Sequence, residues 1–445
     1  MKRLYTILTL LITITLAYSN TQAQILFSIQ GSNTIGSKLA PQLAKSYLSK
    51  NYQVNNIQFI KGRSAEEMVV RGYHKKTKLP LDIEIKAHGS STGFVALENG
   101  SSQICMSSRP IKDKEIALLS HLGNLKSYQS EIIIGLDGIA VIIHKSNPLA
   151  SVSRKTLTDI FSGKITTWGE VDPVYQTTDL KDKTIRVYSR DDNSGTYDTF
   201  KKLILVKGRN LTATAKRYES NADLSDQIAS DPAAIGFVSL PNIRKSKALA
   251  VSEGEGSARL PNNLTVATED YILARRLYLY VSEHETNADI IAFLDYVSSE
   301  DGQNNVNQEG FISQNIYTEA LDIPEFYPEE YRGLTSDAKR LSVNIHFIKG
   351  SLTPDNKAKR SLIRIAEFIK SLNPQPKSIM LFGFSEDTDF KMHNISLSES
   401  RADYVELLLK KQGITINRIR GFGSVNQVAD NTRLDKNRRV EIWIK

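Results

Sequence analysis

The sequence predicts an α/β fold over residues 24–320 and a smaller α+β unit over residues 341–445. Three observations carry this reading. From about residue 25 to 245, short apolar strands alternate with amphipathic helices, the pattern of helices packed on mostly parallel sheets. At 321–340, "LDIPEFYPEEYRGLTSDAKR" loses that periodicity to prolines, a glycine and charge, as a linker does. Beyond it the pattern restarts as β-α-β-α-β-β, a two-layer sandwich.

The elements follow in order. "ILFSIQ" (25–30) reads as a buried strand, and "IGSKLAPQLAKSYLSK" (35–50) as a helix with Leu39, Leu43, Tyr47 and Leu48 on one face. "IQFIKG" and "LDIEIKA" (81–87) read as strands, and "TGFVALENG" (92–100) as a short helix closed by Gly100. "EIIIGLDGIAVIIH" (131–144) is apolar and strand-like throughout, and "LTDIFSG" is a helix ended by Gly163. "TIRVYS" (184–189) is a strand, and "GTYDTFKKLIL" opens the next helix. "AIGFVSL" and "RLYLYV" (276–281) are further strands, and "NADIIAFLDYVSS" (287–299) is a helix. In the last unit "LSVNIHF" (341–347) alternates like a half-buried strand, and "KAKRSLIRIAEFIKSL" places Leu362, Ile365, Ala366, Ile369 and Leu372 on one helical face. "SIMLFGFS" is a strand, "SESRADYVELLLKKQG" is a helix closed by Lys410, Lys411 and Gly413, and "INRIRGFG" and "RRVEIWIK" are the last strands.

Composition sets the class. With 40% hydrophobic and 24% charged residues in 445, the chain is of ordinary soluble globular type. "MKRLYTILTLLITITLAYSNTQAQ" has a basic start, an apolar run too short for a membrane span of about 20 residues, and a polar end, so residues 1–23 read as a secretory signal peptide. The mature protein is expected to be soluble and exported. The lone Cys105 provides no disulfide framework. The charge of +8 is dispersed among acids, which argues against nucleic acid as a partner.

Three turns share one pattern of strand end, Ser/Thr/Gly cluster and helix start: "GSNT" before Ile35, "HGSST" (88–92) and "RDDNSGT" (190–196). The last allows a helix cap, a catalytic serine or an anion cradle. Free N–H groups in a first helical turn, hydroxyl donors and close backbone approach at glycine suit a small tetrahedral oxyanion, and Arg190 brings a charge. Ser194 stands in no Gly-x-Ser-x-Gly elbow, and the seven histidines show no metal-ligand spacing, so neither catalysis nor a metal or other cofactor is expected.

On these motifs, together with "LTDIFSGKITTWGEV" and "FLDYVSSEDGQNNVNQEGFIS", the segment 25–315 resembles the PstS-like phosphate-binding proteins of ABC importers. The resemblance implies a two-lobe type II periplasmic binding protein, with the second lobe at about 138–245, closing on its ligand like a hinge. It further implies phosphate contacts from Thr34, Ile35 (through its backbone), Ser90, Ser108, Arg190, Ser194, Gly195 and Thr196, with Asp192 orienting Arg190 and Arg109 in support. Where the family carries an acid that accepts the proton of hydrogen phosphate, this sequence has Ser108, which leaves selectivity among phosphate, sulfate and molybdate-like anions open.

Residues 341–445 resemble the OmpA-like peptidoglycan-binding domain through "GFSEDTDFKMHNISLSESRADYVELLLKKQGI", "IRGFGS" and "NRRVEIWI", with the pattern Asn394, Leu397, Ser398, Arg401, Ala402, Val405 intact. The resemblance implies that Arg401 takes the carboxylate, and an acid the ammonium, of a diaminopimelate stem peptide. Glu386 holds the place of the family aspartate, Asp387 and Asp389 lie near it, and Asn394 and Arg438 complete the set. The expectation is an oxyanion receptor tethered to peptidoglycan and serving phosphate uptake or sensing, with an ABC importer permease as a further partner. The alternative is a structural or adhesive wall protein whose receptor lobes have lost or changed their ligand.

Overall fold

The computed structural model describes residues 23–445 apart from 55, 207, 254–257, 324, 326, 349–350, 389, 426 and 429–433. The segment read as a signal peptide lies outside the described residues except for Ala23.

β1 (Gln24–Gly31) runs into a single helical turn, α1 (Asn33–Gly36), and then α2 (Leu39–Asn51). The sequence predicts one helix here, but the chain breaks at Ser37–Lys38. Pro41 explains the restart, because a residue with no N–H fits only a first turn. β2 (Ile57–Lys61), β3 (Glu67–Tyr73) and β4 (Pro80–Lys86) form an antiparallel meander, followed by α3 (Ser90–Glu98) and β5 (Ile104–Ser107). β6 (Glu131–Ile143) is buried almost throughout, as an apolar run without alternation should be. β7 (Arg186–Arg190), α4 (Gly195–Leu203), β8 (Lys216–Tyr218), α5 (Asn221–Ala229) and β9 (Ala234–Ser239) follow, then β10 (Ala274–Tyr280).

The strands form one sheet in the order β2-β3-β4-β1-β5-β10-β6-β9-β7-β8. It is mixed rather than mostly parallel: β1 is parallel to β4 and β5, whereas β10 is antiparallel to β5 and β6. β6 passes from one lobe to the other. Its first part, to Gly138, pairs with β10, and its last part, from Ile139, pairs with β9. Two cores result. One gathers β1, α2 and β4 with α6 (Ala288–Ser298), where Phe293 packs 5.1 Å from Phe27 between ring centres. The other gathers Phe161, Trp168, Phe200 and Phe237, and it runs on through Leu249 and Tyr271 to Ala274, past residue 245.

The last unit holds β11 (Thr318–Ala320), α7 (Glu329–Thr335), β12 (Lys339–His346), α8 (Asn356–Ser371), β13 (Ile379–Phe384), α9 (Lys391–Lys411), β14 (Arg418–Gly421) and β15 (Arg439–Ile444), with sheet order β11-β12-β15-β13-β14. Strand alternation splits its side chains. Ile379, Leu381, Val440 and Ile442 meet α8 and α9, whereas Met380, Phe382, Phe384 and Trp443 face the other way. That second face is covered by α7 and its neighbours, so the segment predicted to be a linker is structural. Tyr331 sits among these rings, and its hydroxyl donates to Glu441 Oε2 at 2.7 Å. Few apolar residues and two nearby prolines hid this helix from periodicity.

The third unit docks on the turn before β10 through buried charge. Lys436 Nζ donates to the carbonyls of Glu269 (2.9 Å) and Tyr271 (2.7 Å). Arg340 pairs with Asp270 at 2.8 Å, Lys357 with Glu269 at 3.2 Å, and Arg276 bridges Glu269 (3.0 Å) and Asp355 (2.8 Å). Burial alone would raise the Glu269 pKa, but Arg276, Lys357, His346 and Lys436 outweigh it and hold the carboxyl well below its ordinary value. A depressed folded-state pKa contributes stability that is complete above the ordinary carboxylate range of about pH 4–5 and is lost as pH falls through the depressed value. Docking should therefore survive mild acid and fail only in strong acid. Lys436→Met is expected to cost roughly 1–3 kcal/mol by stranding buried carbonyls. Calorimetry at neutral pH should show this as a lower or split unfolding transition, and an unchanged trace would contradict it.

Candidate functional site

The three Ser/Thr/Gly turns come together where the lobes meet. Thr34 Oγ1, in α1, lies 3.1 Å from Thr196 Oγ1, in α4 of the opposite lobe. Ser90 Oγ lies 3.4 Å from Ser108 Oγ and accepts the Ser108 N–H at 3.1 Å. Ser194 caps α4, its Oγ accepting the N–H groups of Thr196 (3.2 Å) and Tyr197 (3.3 Å). This leaves the hydroxyl proton free to donate outward.

The lobes are closed. A Cβ on Gly195 would stand 2.3 Å from Ser90 Oγ and 2.5 Å from Ser108 Oγ. At Gly89, where φ is +112°, a Cβ would lie 2.4 Å from Asn193 O across the cleft. Both glycines are required by close approach, and Gly89 also by its backbone angle. Gly195→Ala is expected to wedge the lobes apart and weaken ligand binding about 5- to 100-fold, the cost of overpacking a tight contact. Titration calorimetry checks this, and unchanged affinity would contradict it.

Arg190 is buried at the end of β7, with Nε donating to Tyr218 O at 3.1 Å and Nη2 to Glu219 O. Nη1 has no hydrogen-bond partner among the described residues. Burial, offset in part by Asp191 and reinforced by Arg275, brings its pKa down to about 10, so it stays charged at neutral pH. Ile35 is buried, and its N–H bonds Ser32 O at 3.2 Å within the local turn.

Two sequence-derived supports stand elsewhere. Asp192 does not touch Arg190. It pairs with Arg217 at 2.8 Å, and its side chain is 79% exposed. Arg109 is buried and already neutralised by Glu115 (2.6 and 2.8 Å) and by Asp198 Oδ2 (2.8 Å), a residue of α4 in the other lobe. It ties the lobes together rather than offering its charge to a ligand.

The residues that sequence reasoning missed are Arg275, Asp137 and Asn221. Arg275 Nη2 donates to Thr34 Oγ1 at 3.3 Å, and Arg275 is held by Asp137 at 2.6 Å. Asn221 Nδ2 donates to the same hydroxyl at 3.5 Å. One signal was available: an acid and an arginine inside apolar strands are each costly alone, and so should be paired.

In the third unit the residues expected to bind the wall also lie together. Arg401 Nη1 donates to Glu386 Oε2 at 3.2 Å, and Arg438 Nη1 lies 3.7 Å from Glu386 Oε1. Arg401 is buried in mid-α9, its guanidinium 5.6 Å from the Phe347 ring centre, with Nε and Nη2 unpartnered among the described residues. Burial, offset by Glu386, lowers its pKa. Asn394 works on the loop: it donates to Asp387 Oδ1 (3.2 Å) and Thr388 O (3.0 Å), and Thr388 Oγ1 donates back to Asn394 Oδ1 at 2.5 Å. Asp389 lies outside the described residues. Phe347 also lines a cleft of about 590 Å³ together with Arg109, Lys112, Asp198 and Arg275.

Two lobes crossed by continuous strands and closed over hydroxyls and a buried arginine define a hinged solute-binding protein. The chain belongs to the PBP superfamily, whose domain matches residues 27–301, and residues 346–441 match the OmpA family. It is 30% identical over 243 residues to the phosphate-binding protein PstS of Staphylococcus saprophyticus, covering 52% of this chain and 72% of that one. It is 31% identical over 241 residues to protein SphX of Synechococcus elongatus, covering 52% and 68%. An ABC-type phosphate transport receptor structure from Vibrio cholerae aligns with a TM-score of 0.47 at 20% identity, covering 64% of this chain and 99% of that one.

Proposed function

We propose that the protein is an extracytoplasmic phosphate receptor held at the cell wall by its third unit. The observation that carries the reading is the buried Arg190, with one guanidinium nitrogen unpartnered among the described residues, at the strand end that leads into the Ser194–Thr196 turn, which meets Thr34 and Ser90 across the cleft. A tetrahedral oxyanion between closing lobes takes these donors and the first-turn N–H groups of α4 without a metal. Thr34, Ser90, Ser108, Arg190, Ser194, Gly195 and Thr196 form the ligand set, and Ile35 lines it. The Staphylococcus saprophyticus relative is named for phosphate binding, which makes phosphate the first ligand to test. The protein acts as a receptor and not as an enzyme.

The wall partner is the diaminopimelate stem peptide, its carboxylate meeting Arg401 and its ammonium meeting Glu386. Export by the amino-terminal segment puts both domains where these ligands are, and among the described residues no helix is long and apolar enough to cross a membrane. An importer permease is the expected recipient of the anion. Titration of residues 24–445 with phosphate, sulfate and molybdate tests the receptor. Binding of phosphate supports it, and silence with all three leaves only a structural wall protein.

A further inference from the structure

We infer that Arg275, held by Asp137, is the second cation of the oxyanion site and sets its preference for doubly charged anions irrespective of any proton they carry. This rests on the receptor reading above. Arg275 opens β10, in the strand pair that crosses between the lobes, and its side chain is 3% exposed. It links the first of the turns that make the site to the segment that follows β5. Nη2 donates to Thr34 Oγ1 at 3.3 Å, and Nη1 reaches the Ser108 carbonyl at 3.5 Å. Nε and Nη2 hold Asp137 Oδ2 at 3.0 and 2.6 Å, while Asp137 Oδ1 accepts the Leu240 N–H at 2.8 Å. The carboxylate is thus turned to the guanidinium and the backbone. Arg275 is also close enough to Arg190 for its charge to depress the Arg190 pKa.

The chemistry of the surrounding groups gives the selectivity. Among the described residues, no carboxylate is hydrogen-bonded to Thr34, Ser90, Ser108, Ser194 or Thr196. Hydroxyls donate as readily as they accept, so a ligand proton is neither demanded nor refused. Arg190 keeps its charge, and the Arg275–Asp137 pair turns its guanidinium end to Thr34 while the carboxylate lies behind it; both favour charge in the ligand, and a buried site amplifies the difference between one charge and two. The ligand class is therefore the tetrahedral dianion, hydrogen phosphate and sulfate alike, over monoanions of the same shape such as perchlorate.

The test is calorimetric titration of residues 24–445 with phosphate, sulfate and perchlorate. The variants are Arg275→Lys, Arg275→Gln and the double variant Arg275→Gln/Asp137→Asn, whose neutral pair avoids an unpaired buried carboxylate. Wild type should bind phosphate and sulfate within about tenfold of each other and perchlorate far more weakly. The double variant should lose roughly 10- to 100-fold for both dianions, the scale of a charge-assisted hydrogen bond, with little change for perchlorate. Arg275→Lys should recover part of the dianion preference. A purely structural role would lower the unfolding temperature without moving the dianion-to-monoanion ratio, and that result would overturn the inference. So would a wild type that binds phosphate but rejects sulfate. No binding of any anion would instead defeat the receptor reading on which the inference stands.

Discussion

Arg190→Gln is expected to weaken phosphate binding by about two orders of magnitude, or roughly 3 kcal/mol, the upper range for a hydrogen bond to a charged group. The guanidinium is anchored on two backbone carbonyls, Tyr218 O and Glu219 O, which orient the remaining Nη1 without neutralising its charge. Glutamine can hold at most one of those carbonyls and brings no charge. Lysine keeps the charge but not the fork, so Arg190→Lys should fall between the two. Calorimetric affinity checks this, with the unfolding temperature as a control for folding. Wild-type affinity in Arg190→Gln would remove the residue from the site.

The second large effect belongs to the wall domain. Arg401→Ala is expected to abolish retention on diaminopimelate-type peptidoglycan, a loss of roughly 30-fold or more if about 2–4 kcal/mol goes with a buried charged anchor. Arg401 is enclosed in mid-helix with one donor on Glu386 and two nitrogens unpartnered among the described residues, an arrangement that costs stability unless a ligand takes them. Co-sedimentation measures retention. Equal pelleting of wild type and Arg401→Ala would contradict the assignment. Glu386→Gln should show a smaller loss, since Arg401 and Arg438 keep their charge.

The convergent turns were legible because each is local. A strand end, a Ser/Thr/Gly cluster and a helix start lie within a dozen residues, and Ser194 caps α4 as that pattern implies. The unit beyond residue 341 was legible for the same reason, through period-two strands such as Val440, Ile442 and Ile444. What failed was long-range pairing. Arg109 reads as a spare cation until Asp198, 89 residues away, is placed beside it. Asp192 reads as a partner of its near neighbour Arg190, yet it pairs with Arg217. Arg275 and Arg276 look like one charged strand end, but the first faces the anion site and the second faces the wall domain. The start of α9 was missed because residues 391–397 carry exposed Met392 and Ile395 and no apolar stripe. That shift moves Arg401 from the first turn of the expected helix to the middle of the observed one, where it is enclosed.

Adjacent arginines in β10 also join the two halves of the account. The strand that presents Arg275 to Thr34 is fixed, one residue on, to Asp355 of the third unit. The receptor lobes are therefore expected to close against the domain proposed to bind the wall.

The most direct test is calorimetric titration of residues 24–445 with inorganic phosphate at neutral pH. A single saturable site per chain, weakened about 100-fold in Arg190→Gln and unchanged in Arg401→Ala, is the expected result. No heat with phosphate, sulfate or molybdate from a folded protein would contradict the account.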